Sequence, residues 1–267
     1  MQTQTELAKH AKELGLGYRR MTYIARITLF AILFGAPAAH AGWYEIRNYT
    51  GTIGNAPVHV SLQTFDNLNK NEPGQWRVDG SYYYDAHRVP IVLQGKRQPD
   101  GTMQLCEAST PASFGDSPVV PKASATNPFP CPITVTVADA GASGEWNDGK
   151  KTLPITLHQV ASLNDTAVNA PRVDGTVEIP MWYHTRDHLL LGIYQVPRDG
   201  LLSMTSLRLV NIKSGHVDKD VKLDGAGTVA TSIYTNVYRA ADARHVTVIF
   251  EGGYHGMGDD RDILVEP

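Results

Sequence analysis

The side chains best suited to chemistry are histidines in the second half of the chain. His184 and His188 stand four apart with Asp187 between them, and His216, His245, His255 and Glu251 follow. Zinc takes three or four such ligands converging at about 2 Å. On a helix, a spacing of four aligns both imidazoles; on a strand it keeps them on one face but about 13 Å apart, too far to share an ion. A turn at Thr185-Arg186 would close that gap, so His184 and His188 are candidate zinc ligands, set against a reading as solvent-facing residues at a hairpin tip. The densest polar run is Glu251-Gly252-Gly253-Tyr254-His255-Gly256-Met257-Gly258-Asp259-Asp260-Arg261-Asp262. Its glycines let the backbone curl, and Glu251, His255, Asp259, Asp260 and Asp262 form a candidate binding loop whose oxygens suit calcium. The competing reading is a plain glycine-rich connection before a last short strand. Trp76, Tyr82, Tyr83 and Tyr84 offer an aromatic face, although in a strand Tyr82 and Tyr84 share one side and Tyr83 takes the other.

These groups must be held by strands, because period-two alternation dominates and no window beyond the N-terminal segment carries a helical stripe. Val58, Val60 and Leu62 share a face opposite His59, Ser61 and Gln63. Leu153, Ile155 and Leu157 repeat the scheme, as do Val246, Val248 and Phe250, and Val229 to Tyr238 alternate throughout. Pro99-Asp100-Gly101, Asn147-Asp148-Gly149, Asp199-Gly200 and Asp224-Gly225 read as turns between them. The fold class is therefore all-β: an antiparallel meander forming a barrel or sandwich in two β units. A polar stretch from Ser162 to Pro171 separates residues 42–161 from residues 172–267. Arg77-Val78-Asp79-Gly80 recurs as Arg172-Val173-Asp174-Gly175, a short match compatible with duplication. Strands of mostly five to nine residues, and a chain end lacking a closing aromatic, speak against a transmembrane barrel.

Residues 1–41 read as an export signal, with Met21 to Ala41 its functional part. An apolar core from Ile27 to Phe34 follows Arg19, Arg20 and Arg26 and precedes Gly35, Pro37 and the small-x-small site Ala39-His40-Ala41. The core is shorter than the roughly 20 residues that span a bilayer, so no transmembrane segment is expected after cleavage. Periplasmic or secreted localisation follows. Cleavage leaves 226 of 267 residues; the lost segment carries five of 24 Lys and Arg and two of 27 Asp and Glu, so 19 basic and 25 acidic residues remain, net −6. Nothing in that balance supplies the clustered cations that nucleic acid or an anionic membrane requires, and no nucleic-acid partner is expected. Both cysteines, Cys106 and Cys131, fall in the exported part and are expected to pair, closing a loop of 24 residues.

Gly51-Thr52-Ile53-Gly54, Pro57-Val58-His59-Val60, Gly80-Ser81-Tyr82-Tyr83-Tyr84, Ile91-Val92-Leu93-Gln94-Gly95 and Leu105-Cys106-Glu107 resemble segments of small exported bacterial β proteins without assigned function. Gly144-Glu145-Trp146 resembles the G-x-W element of lipocalin and avidin-like barrels, in which the tryptophan closes one barrel end. There it opens the first strand; here it lies about a hundred residues into the exported chain, and a tryptophan capping a β core after a turn is the alternative. Gly115-Asp116-Ser117 is similar to the opening motif of GDS-type esterases, with Asp242-Ala243-Arg244-His245 at the spacing of their closing Asp-x-x-His. That family sets the serine on a strand-to-helix turn, whereas Ser117 falls in a proline-rich loop between the cysteines.

The expected function is thus an exported soluble β-rich protein with a binding or envelope-associated role, its partner an unidentified ligand or envelope protein. No catalytic residue and no cofactor is identified. The alternative is a metal-dependent hydrolase using the C-terminal His and Asp residues with zinc or calcium.

Overall fold

A computed structural model describes residues 44–65, 76–108, 130–164, 176–195, 203–226, 233–240, 244–252 and 257–264. The expected export signal at residues 1–41, together with Ser117, Asp242, His255, the turn expected at Asp199-Gly200 and the second Arg-Val-Asp-Gly copy, lies outside them.

The expected meander is a closed barrel of eight antiparallel strands in sequence order. Its strands are β1 (Tyr44–Ile53), β2 (Ala56–Phe65), β3 (Trp76–Tyr84), β4 (Ile91–Arg97), β5 (Thr102–Ala108), β6 (Ile133–Ala138), β7 (Gly141–Asn147) and β8 (Thr152–Asn164), with β8 pairing back onto β1. Alternation decides what fills it. Val58, Val60 and Leu62 from β2, Met103 and Leu105 from β5, Ile133 and Val135 from β6, and Ile155 and Leu157 from β8 meet in one apolar cluster with Tyr49, Tyr82 and Leu93. Eight strands enclose just enough space for side chains to fill. The β1–β2 hairpin needs Gly54 at φ 61°, a left-handed angle that L side chains adopt at a cost. Gly144 is needed for another reason: a Cβ there would meet the Thr134 carbonyl oxygen at 2.0 Å.

A four-stranded sheet follows, ordered β12-β11-β10-β9, from β9 (Thr176–Pro180), β10 (His188–Gln195), β11 (Ser203–Asn211) and β12 (Val217–Ala226). A three-stranded sheet of β13 (Val237–Arg239), β14 (His245–Gly252) and β15 (Met257–Leu264) ends the fold. The barrel's outward residues Tyr44, Ile46, Phe65, Val92 and Leu163 join Ile179, Trp182, Tyr194, Tyr234, Val246 and Val248 in a second core. Trp182 is fixed to the barrel by its indole N–H, which donates to the Gly80 carbonyl at 2.7 Å, and it stacks on Tyr234. On the uncovered arc the pattern reverses: Thr134, Thr136, Ser143 and Glu145 are exposed. A membrane barrel would present an apolar outer band and a polar lumen. No helix among the described residues is long and apolar enough to cross a membrane.

Most strands have the expected five to nine residues, while β1 and β2 have 10 and β8 has 13. Two expectations are corrected. The alternating run from Val229 is no continuous strand: Ile233–Thr235 form a 3-10 turn before β13. Tertiary contacts override the pattern there, since the Ile233 amide donates to Gln63 Oε1 and the Tyr234 hydroxyl pairs with Ser61. Finally, Asp224-Gly225 lies within β12, where the register skips from Ala226 to Lys222 opposite Met204 and Ser206. The dipeptide accommodates a ladder irregularity instead of a reversal.

Candidate functional site

The outer surface of the barrel and the edge of the four-stranded sheet enclose a cleft of about 240 Å³. Strands β1 to β3 contribute Asn48, Thr50, His59, Ser61 and Tyr83; β8 contributes Val160 and Ala161; β9 and β10 contribute Glu178, Pro180 and Leu191. Its local origin is a bulge. Between the pairs Asn48/Ala161 and Tyr49/Gln159 the register slips by one residue, leaving Val160 unmatched and 59% exposed at the rim. A bulge bends its strand. The same slip switches β8 from Ile155 and Leu157 inside the barrel to Ala161 and Leu163 against the second core, while plain alternation along β1 turns Tyr44 and Ile46 outward and Tyr49 inward.

Asn48 sets the polar geometry. Its Nδ2 donates to the Glu178 carbonyl at 2.5 Å, which fixes the amide orientation because the other atom would place oxygen against oxygen. Oδ1 is consequently an acceptor, buried and without a hydrogen-bond partner among the described residues. Along the wall, the His59 ring stacks on Tyr83 with centroids 4.9 Å apart, and its Nε2 lies 3.0 Å from Asp85 Oδ1. Burial pushes the ionisation of the Tyr83 phenol well up, and Asp85 and Glu178 push it further, against a smaller pull from Arg88. The phenol is therefore a permanent donor in a locally negative field. The Glu178 carboxylate bonds Arg208, whose guanidinium is shared with Asp220.

A different constellation sits at the barrel end. Glu107 Oε1 accepts from the Tyr82 hydroxyl at 2.6 Å and from the Trp146 indole N–H at 2.9 Å. Trp146 packs against the barrel core, with Tyr84 in edge contact with Tyr82. The G-x-W tryptophan thus does lie at a barrel end, on the seventh strand.

Of the residues chosen from the sequence, Tyr83 lines the cleft, whereas the described candidate metal-ligand and loop residues do not. A turn does join Thr185 to His188, but the two imidazoles go to separate partners: His184 Nδ1 to the Thr185 carbonyl at 2.8 Å, His188 Nε2 to Asp218 at 3.0 Å. Asp218 also accepts from Asn211. These bonds, Asn211 first and His188 second, hold its carboxyl below the usual range. His216 stands close enough to add to that shift, and His245 opens β14 opposite Leu264. No group of three metal-ligating side chains occurs among the described residues. Glu251 lies near the end of β14, paired with Gly258, and Asp259, Asp260 and Asp262 lie in β15, paired with Phe250, Ile249 and Thr247. Cys106 and Cys131 are joined in a disulfide.

The cleft residues carry no motif. His59 and Ser61 alternate with the barrel core, which marks them only as outward; a buried outward polar residue becomes visible once the second sheet covers it. No known protein family, curated protein or solved structure matches this chain.

Proposed function

We propose that this is an exported binding protein for a small molecule, with the cleft between barrel and four-stranded sheet as its site and no catalytic step. The observation that carries the reading is the cleft itself, about 240 Å³ between the barrel wall and the four-stranded sheet, lined by outward residues of β1 to β3 and by β8 to β10. Mostly apolar walls with few convergent polar groups are the usual make-up of small-ligand sites, and this volume suits a molecule the size of one sugar or amino acid. The barrel supplies rigidity and the disulfide suits an oxidising compartment.

Saturation-transfer NMR on the exported chain, with a panel of monosaccharides, amino acids, amines and small carboxylates, tests the reading. At least one class should give transfer that disappears in Val160→Trp, a substitution at an exposed rim position that fills the cleft mouth. Transfer from no class, or transfer that survives Val160→Trp unchanged, would refute it.

A further inference from the structure

Resting on the cleft as the binding site, we infer that Arg88 is a clasp that gates it. Closed, its guanidinium sits on the turn between β11 and β12 and holds the Tyr83 wall of the barrel against the four-stranded sheet; released, it lets the cleft open. The first observation is strain. Arg88 lies in the connection between β3 and β4 at φ 47°, the left-handed region, and among the described residues no other non-glycine adopts such an angle. Glycine would take it freely but would have no side chain to reach across. Strain of this kind persists only where the surrounding structure over-determines it, and it clusters at switching segments. Here the His87 and Arg88 amides both donate to the Tyr84 carbonyl, at 2.9 and 2.8 Å, and turn the chain back.

The second observation is the seat. Arg88 Nη1 donates to the Ile212 carbonyl at 3.3 Å, and the guanidinium lies flush on Gly215, where a Cβ would come within 2.7 Å of its Cζ and Nη2. Gly215 is itself left-handed at φ 75°. Asn211 fixes that turn, accepting the Gly215 amide on its carbonyl and the Lys213 and Ser214 amides on Oδ1. The third is what the clasp draws together. Tyr83, in the cleft wall, packs with Ile212 onto the cluster of Leu189, Leu191, Ile193 and Val210. Elsewhere the two layers are pinned by buried bonds, Trp182 to Gly80 at 2.7 Å and Tyr234 to Ser61 at 3.0 Å. Arg88 contributes a longer, half-buried bond from a strained residue, so this tie yields before those do.

Thiol alkylation and NMR on the full chain test the clasp. A cysteine introduced by Thr50→Cys, at a half-buried position of the cleft lining, should react with a bulky maleimide about tenfold faster once Arg88→Gly is added, the shift expected for losing one charge-assisted hydrogen bond. Nuclear Overhauser contacts between the Tyr83 ring and the methyl groups of the leucine, isoleucine and valine cluster should weaken with it. Arg88→Gly relieves the backbone angle, so circular dichroism should not change. Gly215→Asn, tolerated at a left-handed angle but filling the seat, should act in the same direction. Arg88→Lys keeps a cationic donor and should restore slow alkylation. Rates and Overhauser contacts unchanged in both Arg88→Gly and Gly215→Asn would overturn the clasp, as would an Arg88→Lys chain as open as Arg88→Gly. No ligand enters these measurements, so the clasp and the binding reading can each fail without the other.

Discussion

Glu107 shows how a single carboxylate can close a barrel. Its Oε1 collects the Tyr82 hydroxyl and the Trp146 indole, and the Tyr82 phenol, pushed up first by burial and then by Glu107, stays protonated as donor. Replacing it by leucine removes the shared acceptor from both groups, and Glu107→Leu should lower unfolding free energy by about 2 kcal/mol in urea titration, with a shift in Trp146 emission. Unchanged stability would mean that solvent already satisfies both donors. At this scale the sequence was half legible. Trp146 announced itself through glycine spacing, whereas Glu107 lies 39 residues away on β5, separated from β7 by the intervening strand β6. Asn48 was similarly hidden, because an asparagine in an Asn-Tyr-Thr run looks like surface until β9 settles over it.

Strands were the most legible elements wherever one face is buried and the other is wet. β6 shows the clean case, with Ile133 and Val135 buried and Thr134 and Thr136 exposed. β10 shows why the rule fails: Leu189, Leu190 and Leu191 are all buried, because Leu190 faces the larger core while Leu189 and Leu191 pack with Tyr83 and Ile212 on the other side. A strand covered on both faces loses its alternation. The link between the start of β10 and the start of β12 is polar and pH-dependent. Asp218 is held below its ordinary range by Asn211 and His188, so its folded carboxyl binds a proton less readily than the unfolded one. Its contribution is present above the unfolded value of about 4 and is lost as pH falls through the lower folded value. Asp218→Asn should therefore lower the urea midpoint at pH 7 and leave it unchanged near pH 2. A deficit of equal size at both values would mean that Asp218 acts through shape and not through charge.

The whole molecule is a barrel whose outer wall serves as the floor of the second half, so burial runs through both. Bridging Cys106 to Cys131 constrains the unfolded chain of that barrel by closing 24 intervening residues, for roughly 3–4 kcal/mol by chain entropy. Reduction should lower the urea midpoint accordingly, and intact protein should weigh 2 Da less than its reduced form. A midpoint indifferent to reductant would show that the loop is constrained without the bridge. The shared core makes a sharper demand on tyrosine. Of the chain's 12 tyrosines, Tyr49, Tyr82, Tyr83, Tyr84, Tyr194 and Tyr234 have their ionisation pushed upward, burial being the first cause in each. They come from both halves: Tyr49 and Tyr82 from the barrel interior, Tyr194 and Tyr234 from the core that the barrel wall shares with the C-terminal sheets. In the unfolded chain all of them lose protons near pH 10, whereas in the folded chain these six hold theirs to higher pH. The unfolded state then binds fewer protons, so stability is complete below about pH 10 and declines as pH rises above it. Phenolate absorbance should accordingly rise in two stages, with Tyr82, Tyr83, Tyr194 and Tyr234 titrating only as the fold opens, and the second rise should coincide with loss of the near-ultraviolet dichroism of buried Trp182. A single smooth titration of all 12 near pH 10, with dichroism intact, would show that the second sheet does not seal the barrel wall.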